Sequence, residues 1–200
     1  MVIKLEGCGF MPEVKKNYSD NYRKTEKING IIYNMSPAAN FRHGIVNGNI
    51  HRIIANALRN SVYRVFMENL DFKYHPDIND DYIVPDIMVA CDRKKLKGGA
   101  YYGTPKFVVE TLSPSTSMRD MTEKKDIYEQ AGVDEYWIVL PREKGVNIYY
   151  LENGKYVLKF SYILEDDKEE EHYNADTVIS LRRFPDITMT LEEIFENVDE

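Results

Sequence analysis

The chain has 200 residues, 43% of them hydrophobic, and a formal charge of −7 at neutral pH. That length suits one domain with a real core, and the acidic balance removes the global basic field that draws proteins to nucleic acid or anionic membrane, although a local basic rim with bound cations can still meet phosphate. Its two cysteines, Cys8 and Cys91, show no CxxC or CxxH spacing, which argues against a disulfide framework or a structural zinc site, and no segment approaches the roughly 20 apolar residues of a membrane span.

Residues 1–21 show no sustained period and read as an N-terminal arm ahead of a single domain over 22–200. Residues 22–28 and 31–35 flank Asn29-Gly30, the dipeptide that accepts positive φ at both turn positions, so a type I′ β-hairpin is expected. A helix follows over 41–66, with Val46, Ile50, Ile53, Ala57 and Leu58 on one stripe. Polar residues 77–81 punctuate the chain before a strand over 82–91, with Pro85 near its start where a missing N–H is tolerated. Residues 93–105 form a basic, glycine-containing loop, and 106–112 a β-branched, apolar strand. Residues 113–117 supply turn and N-cap chemistry for a helix that ends at Ala131, with Gly132 beyond it. A strand over 135–140, a hairpin of 146–151 with 156–164 around Asn153-Gly154, and a terminal helical turn over 191–195 complete the order. The acidic block 165–171 reads as a solvated loop.

Three ionisable residues interrupt this apolar middle. Asp86 follows Val84-Pro85, and Glu110 ends the run Phe107-Val108-Val109. Side chains alternate along a strand, so Glu110 shares a face with Val108 and Leu112. In the following helix, Met121, Lys124, Tyr128 and Ala131 form a core-facing stripe, whereas Lys125 lies about 100° round the helix. Desolvating an unpaired charge costs several kcal/mol, so acids and a lysine in such places call for partners or a metal. Two carboxylates at strand ends repel unless a divalent cation lies between them, and hard oxygen ligands favour Mg2+ or Mn2+. With a lysine to orient water or stabilise developing charge, that set describes phosphodiester hydrolysis.

Each residue also has a plainer reading. Asp86 suits a turn, Glu110 a surface strand end, and Lys124 can snorkel to water. Glu26 reads as a hairpin acid or a supporting contact; His43 as a helix-start or core histidine, or a supporting one; Tyr128 as core with its hydroxyl toward the site. Arg93, Lys94, Lys95 and Lys97 with Tyr101 and Tyr102 put charge beside aromatics, a pattern of strand-tracking surfaces and of ordinary solvated loops alike.

Val84-Pro85-Asp86, then Val109-Glu110-Thr111-Leu112-Ser113-Pro114-Ser115-Thr116, Asp120, Lys124, Tyr128, Gly132-Val133 and Glu135-Tyr136-Trp137 together resemble the Uma-type restriction-endonuclease-like family, and Glu26 to Gly30 with Met35-Ser36-Pro37 and His43 resembles its amino-terminal signature. The resemblance implies an α/β (mixed α+β) PD-(D/E)xK nuclease fold, a mixed central sheet flanked by helices. It implies a Mg2+- or Mn2+-dependent endonuclease acting on DNA. Carried over, Asp86 and Glu110 are the two acids, the Thr111 carbonyl is a third metal ligand, and Lys124 replaces the lysine the general motif places where Leu112 stands. Rival readings are a nuclease-fold module without turnover and, less well supported with a single tryptophan, a two-carboxylate glycosidase. Residues 1–10 lack the flank and apolar stretch of a signal peptide, so a cytoplasmic protein is expected. A homodimer is expected too, since nucleases that cut both strands pair two sites by symmetry.

Overall fold

The computed structural model describes residues 24–35, 40–113 and 121–199. Asn29 and Gly30 take φ of 51° and 78°, as a type I′ turn requires, and close the hairpin of β1 (Thr25–Ile28) and β2 (Ile31–Asn34). Helix α1 (Phe41–Ala57) leads to β3 (Arg64–Met67), β4 (Asp71–Phe72), β5 (Ile87–Ala90), β6 (Leu96–Lys97), β7 (Ala100–Tyr101) and β8 (Phe107–Thr111). Then come α2 (Glu123–Ala131), β9 (Glu135–Leu140), β10 (Gly145–Glu152), β11 (Lys155–Ile163), β12 (Val178–Leu181), β13 (Phe184–Thr190) and α3 (Leu191–Phe195).

The central sheet has six strands in the order β11-β10-β9-β8-β5-β3. It is mixed: β8 and β9 run parallel, and every other neighbouring pair is antiparallel. All five residues of β8 are buried, because both of its faces are covered. Phe107 and Val109 pack with Val46, Ile50 and Ile54 of α1 and with Trp137, whereas Val108 packs with Ile127 and Tyr128 of α2 and with Tyr136. Two cores therefore lie on opposite faces of one sheet. Hairpin β12–β13 and α3 complete the α1 side, where Leu191 and Ile194 are fully buried.

Several boundaries depart from the sequence reading. The helix expected over 41–66 stops at Ala57, since Val62, Tyr63, Val65 and Phe66 are β-branched or aromatic and Arg64–Met67 pair as β3 with β5 instead. Its buried stripe is His43, Val46, Asn47, Ile50, Ile54 and Leu58, while Ala57 is exposed. The strand expected over 82–91 contracts to β5, because Pro85 lacks the N–H a ladder needs and Tyr82 and Ile83 form only isolated bridges, to Lys27 and Phe72. Within the loop 93–105, β6 and β7 pair with each other and β7 pairs with β4. The β12–β13 hairpin was not expected. Gly132 ends α2 at φ 78°, and the 153–154 hairpin and the terminal helical turn form as read. The N-cap expectation over 113–117 lies, after Ser113, outside the described residues.

Candidate metal centre and active site

The site begins as a row across one end of the sheet. The last paired residues there are Met67 with Ile87 and Ile87 with Val109. One step further along both registers stand Glu68, Asp86 and Glu110, so three adjacent strands present three acids in line. The row departs from regular pairing at two places. Glu68 has φ 53°, a left-handed conformation unusual outside glycine, and its N–H still donates to the Asp86 carbonyl at 3.0 Å. Asp86 turns its carboxylate to accept the Thr111 N–H at 2.7 Å.

From the α1 side, the buried helix stripe delivers two polar residues to this row. His43 Nε2 lies 3.1 Å from Asp86 Oδ2, and its Nδ1 lies 3.5 Å from Glu68 Oε1. Asn47 donates to Glu68 at 3.0 Å and accepts from the Thr111 hydroxyl at 2.6 Å. His43, Glu68 and Asp86 each offer a ligand atom, and these atoms lie within 4.8 Å of one another. Two carboxylates and an imidazole at that spacing fit one divalent ion, with Asn47 and the Thr111 N–H orienting the ligands from behind.

From the α2 side comes a buried charge network. Lys124 Nζ lies 3.2 Å from Glu110 Oε1 and 2.9 Å from Glu26 Oε1, and all three side chains are about 98% shielded from solvent. Glu26 also accepts the Val84 N–H at 3.0 Å, which ties the β1–β2 hairpin to the segment leading into Asp86. Tyr128 donates its hydroxyl to Glu110. Burial, reinforced by the Glu110 charge, pushes that hydroxyl well above its ordinary pKa, so it remains a donor. Lys125 lies instead over the Tyr149 ring, 4.5 Å from its centroid.

The fold thus sorts the residues singled out from sequence into two groups at one end of the sheet, one on each face, and Glu110 is not among the ligand atoms that gather at His43, Glu68 and Asp86. Asp86 and His43 join on the α1 side; Glu110, Lys124, Tyr128 and Glu26 join on the α2 side. Thr111 contributes its N–H and its hydroxyl to the Asp86 side. Tyr101 requires correction as a nucleic-acid contact. It is 1% exposed, and its hydroxyl accepts the N–H groups of Cys91 and Asp92, so it is a core residue. Lys94, Lys95, Lys97 and Tyr102 remain exposed. Glu68 and Asn47 escaped sequence reasoning: a helix drawn through residue 66 hid the strand end that carries Glu68, and Asn47 stands beside Val46 in α1 with no motif to mark it.

The family model described as Uma2, "Putative restriction endonuclease", matches residues 13–192. An uncharacterized protein of Synechocystis sp. is 26% identical over 160 residues, covering 79% of this chain and 83% of that one. Among solved structures, one described as a putative nuclease belonging to DUF820, from Anabaena variabilis, superposes with a TM-score of 0.64 at 17% identity, over 87% of this chain and 90% of the other. At that identity the superposition establishes a shared fold.

Proposed function

This chain belongs to the Uma2 family of putative restriction endonucleases, and from that premise we propose that it hydrolyses DNA phosphodiester bonds with a divalent cation, Mg2+ or Mn2+, held at Asp86. The observation that carries this reading is the convergence of His43, Glu68 and Asp86 ligand atoms within one ion's reach at the sheet end that also bears Glu110. A cation there would act as a Lewis acid on the phosphoryl oxygen and lower the pKa of a bound water. Glu110, opposite Asp86 in register, is the second acid of the site, and the Thr111 carbonyl is a further candidate ligand. Lys124, fixed by Glu110 and Glu26, is placed to orient the attacking water and to offset charge on the phosphorane. Tyr128 holds the Glu110 carboxylate in position. The exposed lysines of the 93–105 loop give a local cationic surface on an otherwise acidic chain, and a homodimer would place two sites for double-strand cleavage.

One observation favours a second reading, a nuclease-fold binding module without turnover. Lys124 is only 2% exposed and already meets two carboxylates, the condition of a structural ion pair. Incubation with supercoiled plasmid and with oligonucleotides, in Mg2+, in Mn2+ and in chelator, separates the two. Metal-dependent cleavage that disappears in Asp86→Ala supports the nuclease. Metal binding without cleavage of any substrate supports the module.

A further inference from the structure

β8 and β9 are parallel, so their carboxyl ends open at the same edge of the sheet, the place where α/β folds collect ligands. A cavity of about 280 Å3 lies at that edge. Leu112 and Ser113 wall it after β8, Leu140 to Glu143 wall it after β9, and Asn40, Arg42 and His43 wall it from the start of α1. His43 is shared: it lines this cavity and hydrogen-bonds Asp86, so the cavity adjoins the candidate metal centre.

Two guanidinium groups border this small space. Arg142 is exposed, and no hydrogen bond or ion pair engages its side chain among the described residues. Arg42 lies over the Phe41 ring, 5.0 Å from its centroid, and makes a long contact to a carboxylate, 3.7 Å from Nε to Asp199. On a chain with net charge −7, two arginines and a single acid, Glu143, line this concave site, which leaves it locally cationic. A guanidinium presents a planar fork of donors that matches phosphate oxygens two at a time. Leu112, Leu140 and Pro141 give the cavity an apolar wall suited to the sugar rather than to a hydrated ion.

We propose that this cavity seats the phosphodiester next to the one cleaved, with Arg142 and Arg42 gripping its oxygens and so setting where the strand lies against Asp86. The proposal rests on the nuclease reading for the word "cleaved", but the binding site itself does not. Arg142 is then a positioning residue, and Glu143 on the same wall opposes the ligand by charge.

The test is binding of a fluorescein-labelled oligodeoxynucleotide to the full chain across a salt series, in chelator so that no turnover occurs. Arg142→Ala should weaken binding roughly ten- to hundredfold, as loss of a charge-assisted contact does, and lower the salt slope by about 0.7 for a single strand. Arg142→Lys should recover only part, because a point charge lacks the fork. Glu143→Gln should tighten binding, a change that general loss of folding cannot mimic. Lys168→Ala, in the exposed acidic loop, is the control and should change nothing. Equal affinity and slope in Arg142→Ala and parent overturn the proposal, as does saturation of the site by inorganic phosphate with no oligonucleotide binding. If the parent binds in this Arg142-dependent way yet never cleaves with metal, the cavity stands and the nuclease reading falls.

Discussion

In the proposed metal site, His43 is the group that would set which cation is preferred. Glu68 and Asp86 alone would offer hard oxygen to Mg2+, but an imidazole nitrogen in the set shifts the balance toward first-row transition ions. Calorimetric titration should therefore show tighter binding of Mn2+ than of Mg2+, and His43→Ala should narrow that gap by weakening Mn2+ selectively. An unchanged ratio would remove His43 from the ligand set. Lys124 makes a different case, because it is buried between two acids. Lys124→Ala leaves Glu26 and Glu110 facing each other without a cation, which should cost about 3–5 kcal/mol in urea unfolding. Lys125→Ala, which only uncovers the Tyr149 ring, should stay within about 1 kcal/mol. Loss of cleavage in Lys124→Ala is thus meaningful only in conditions where the variant remains folded.

At the scale of elements, β9 carries a buried acid that makes the fold pH-sensitive. Burial raises Glu135 to about 7 from its ordinary 4.5, against the opposing pull of hydrogen bonds from Trp137 and from the Arg182 N–H. The folded chain therefore keeps this proton up to about pH 7, whereas the unfolded chain has lost it by then. Between those values the unfolded state binds fewer protons, so stability falls as pH rises through the window, by on the order of 3 kcal/mol. Glu135→Gln should flatten that part of the stability profile; an identical slope in the variant would deny the assignment. The sheet edge poses a separate problem. β11 is a long edge strand with Val157, Leu158, Phe160 and Ile163 exposed, a template for unwanted pairing. Phe160 faces Ile148 and Leu158 faces Tyr149, so Lys159 is the extra residue of a bulge, and it is held by Glu152 at 2.8 Å. A charged bulge interrupts such an edge. Deleting Lys159 should restore a regular ladder and raise association, measured by light scattering against concentration.

Across the whole molecule, β8 contributes to both cores, as β5 and β9 also do. Val109 belongs to the α1-side core and Val108 to the α2-side core. Each truncation to alanine should cost on the order of 2 kcal/mol from lost burial and the cavity left behind. Because the two side chains share no packing partners in those clusters, the double variant should lose about the sum, within roughly 0.5 kcal/mol. A much smaller combined loss would show the two cores to be coupled through the strand. The same two-sided architecture brings His43 on α1 and Lys124 on α2 to one end of the sheet from opposite faces, which no single helix could do.

The sequence carries the elements whose signal is local. Asn29-Gly30 and Asn153-Gly154 name their turns because only residues tolerant of positive φ fit them, Gly132 ends its helix for the same reason, and the apolar run Phe107-Val108-Val109 marks a strand. It also marked Asp86, Glu110 and Lys124, since charges inside apolar sequence stand out by the energy their burial demands. Tertiary structure alone decided their company. Whether residues 62–66 continue a helix or form a strand depends on β5 lying beside them, and that pairing is what brings Glu68 level with Asp86. The buried position of Tyr101, the pairing of Lys124 with Glu26 and the lining of one cavity by Arg42 and Arg142 depend on residues distant in sequence. No periodicity encodes such contacts; they exist because a sheet with two covered faces gathers the ends of its strands and helices at one edge.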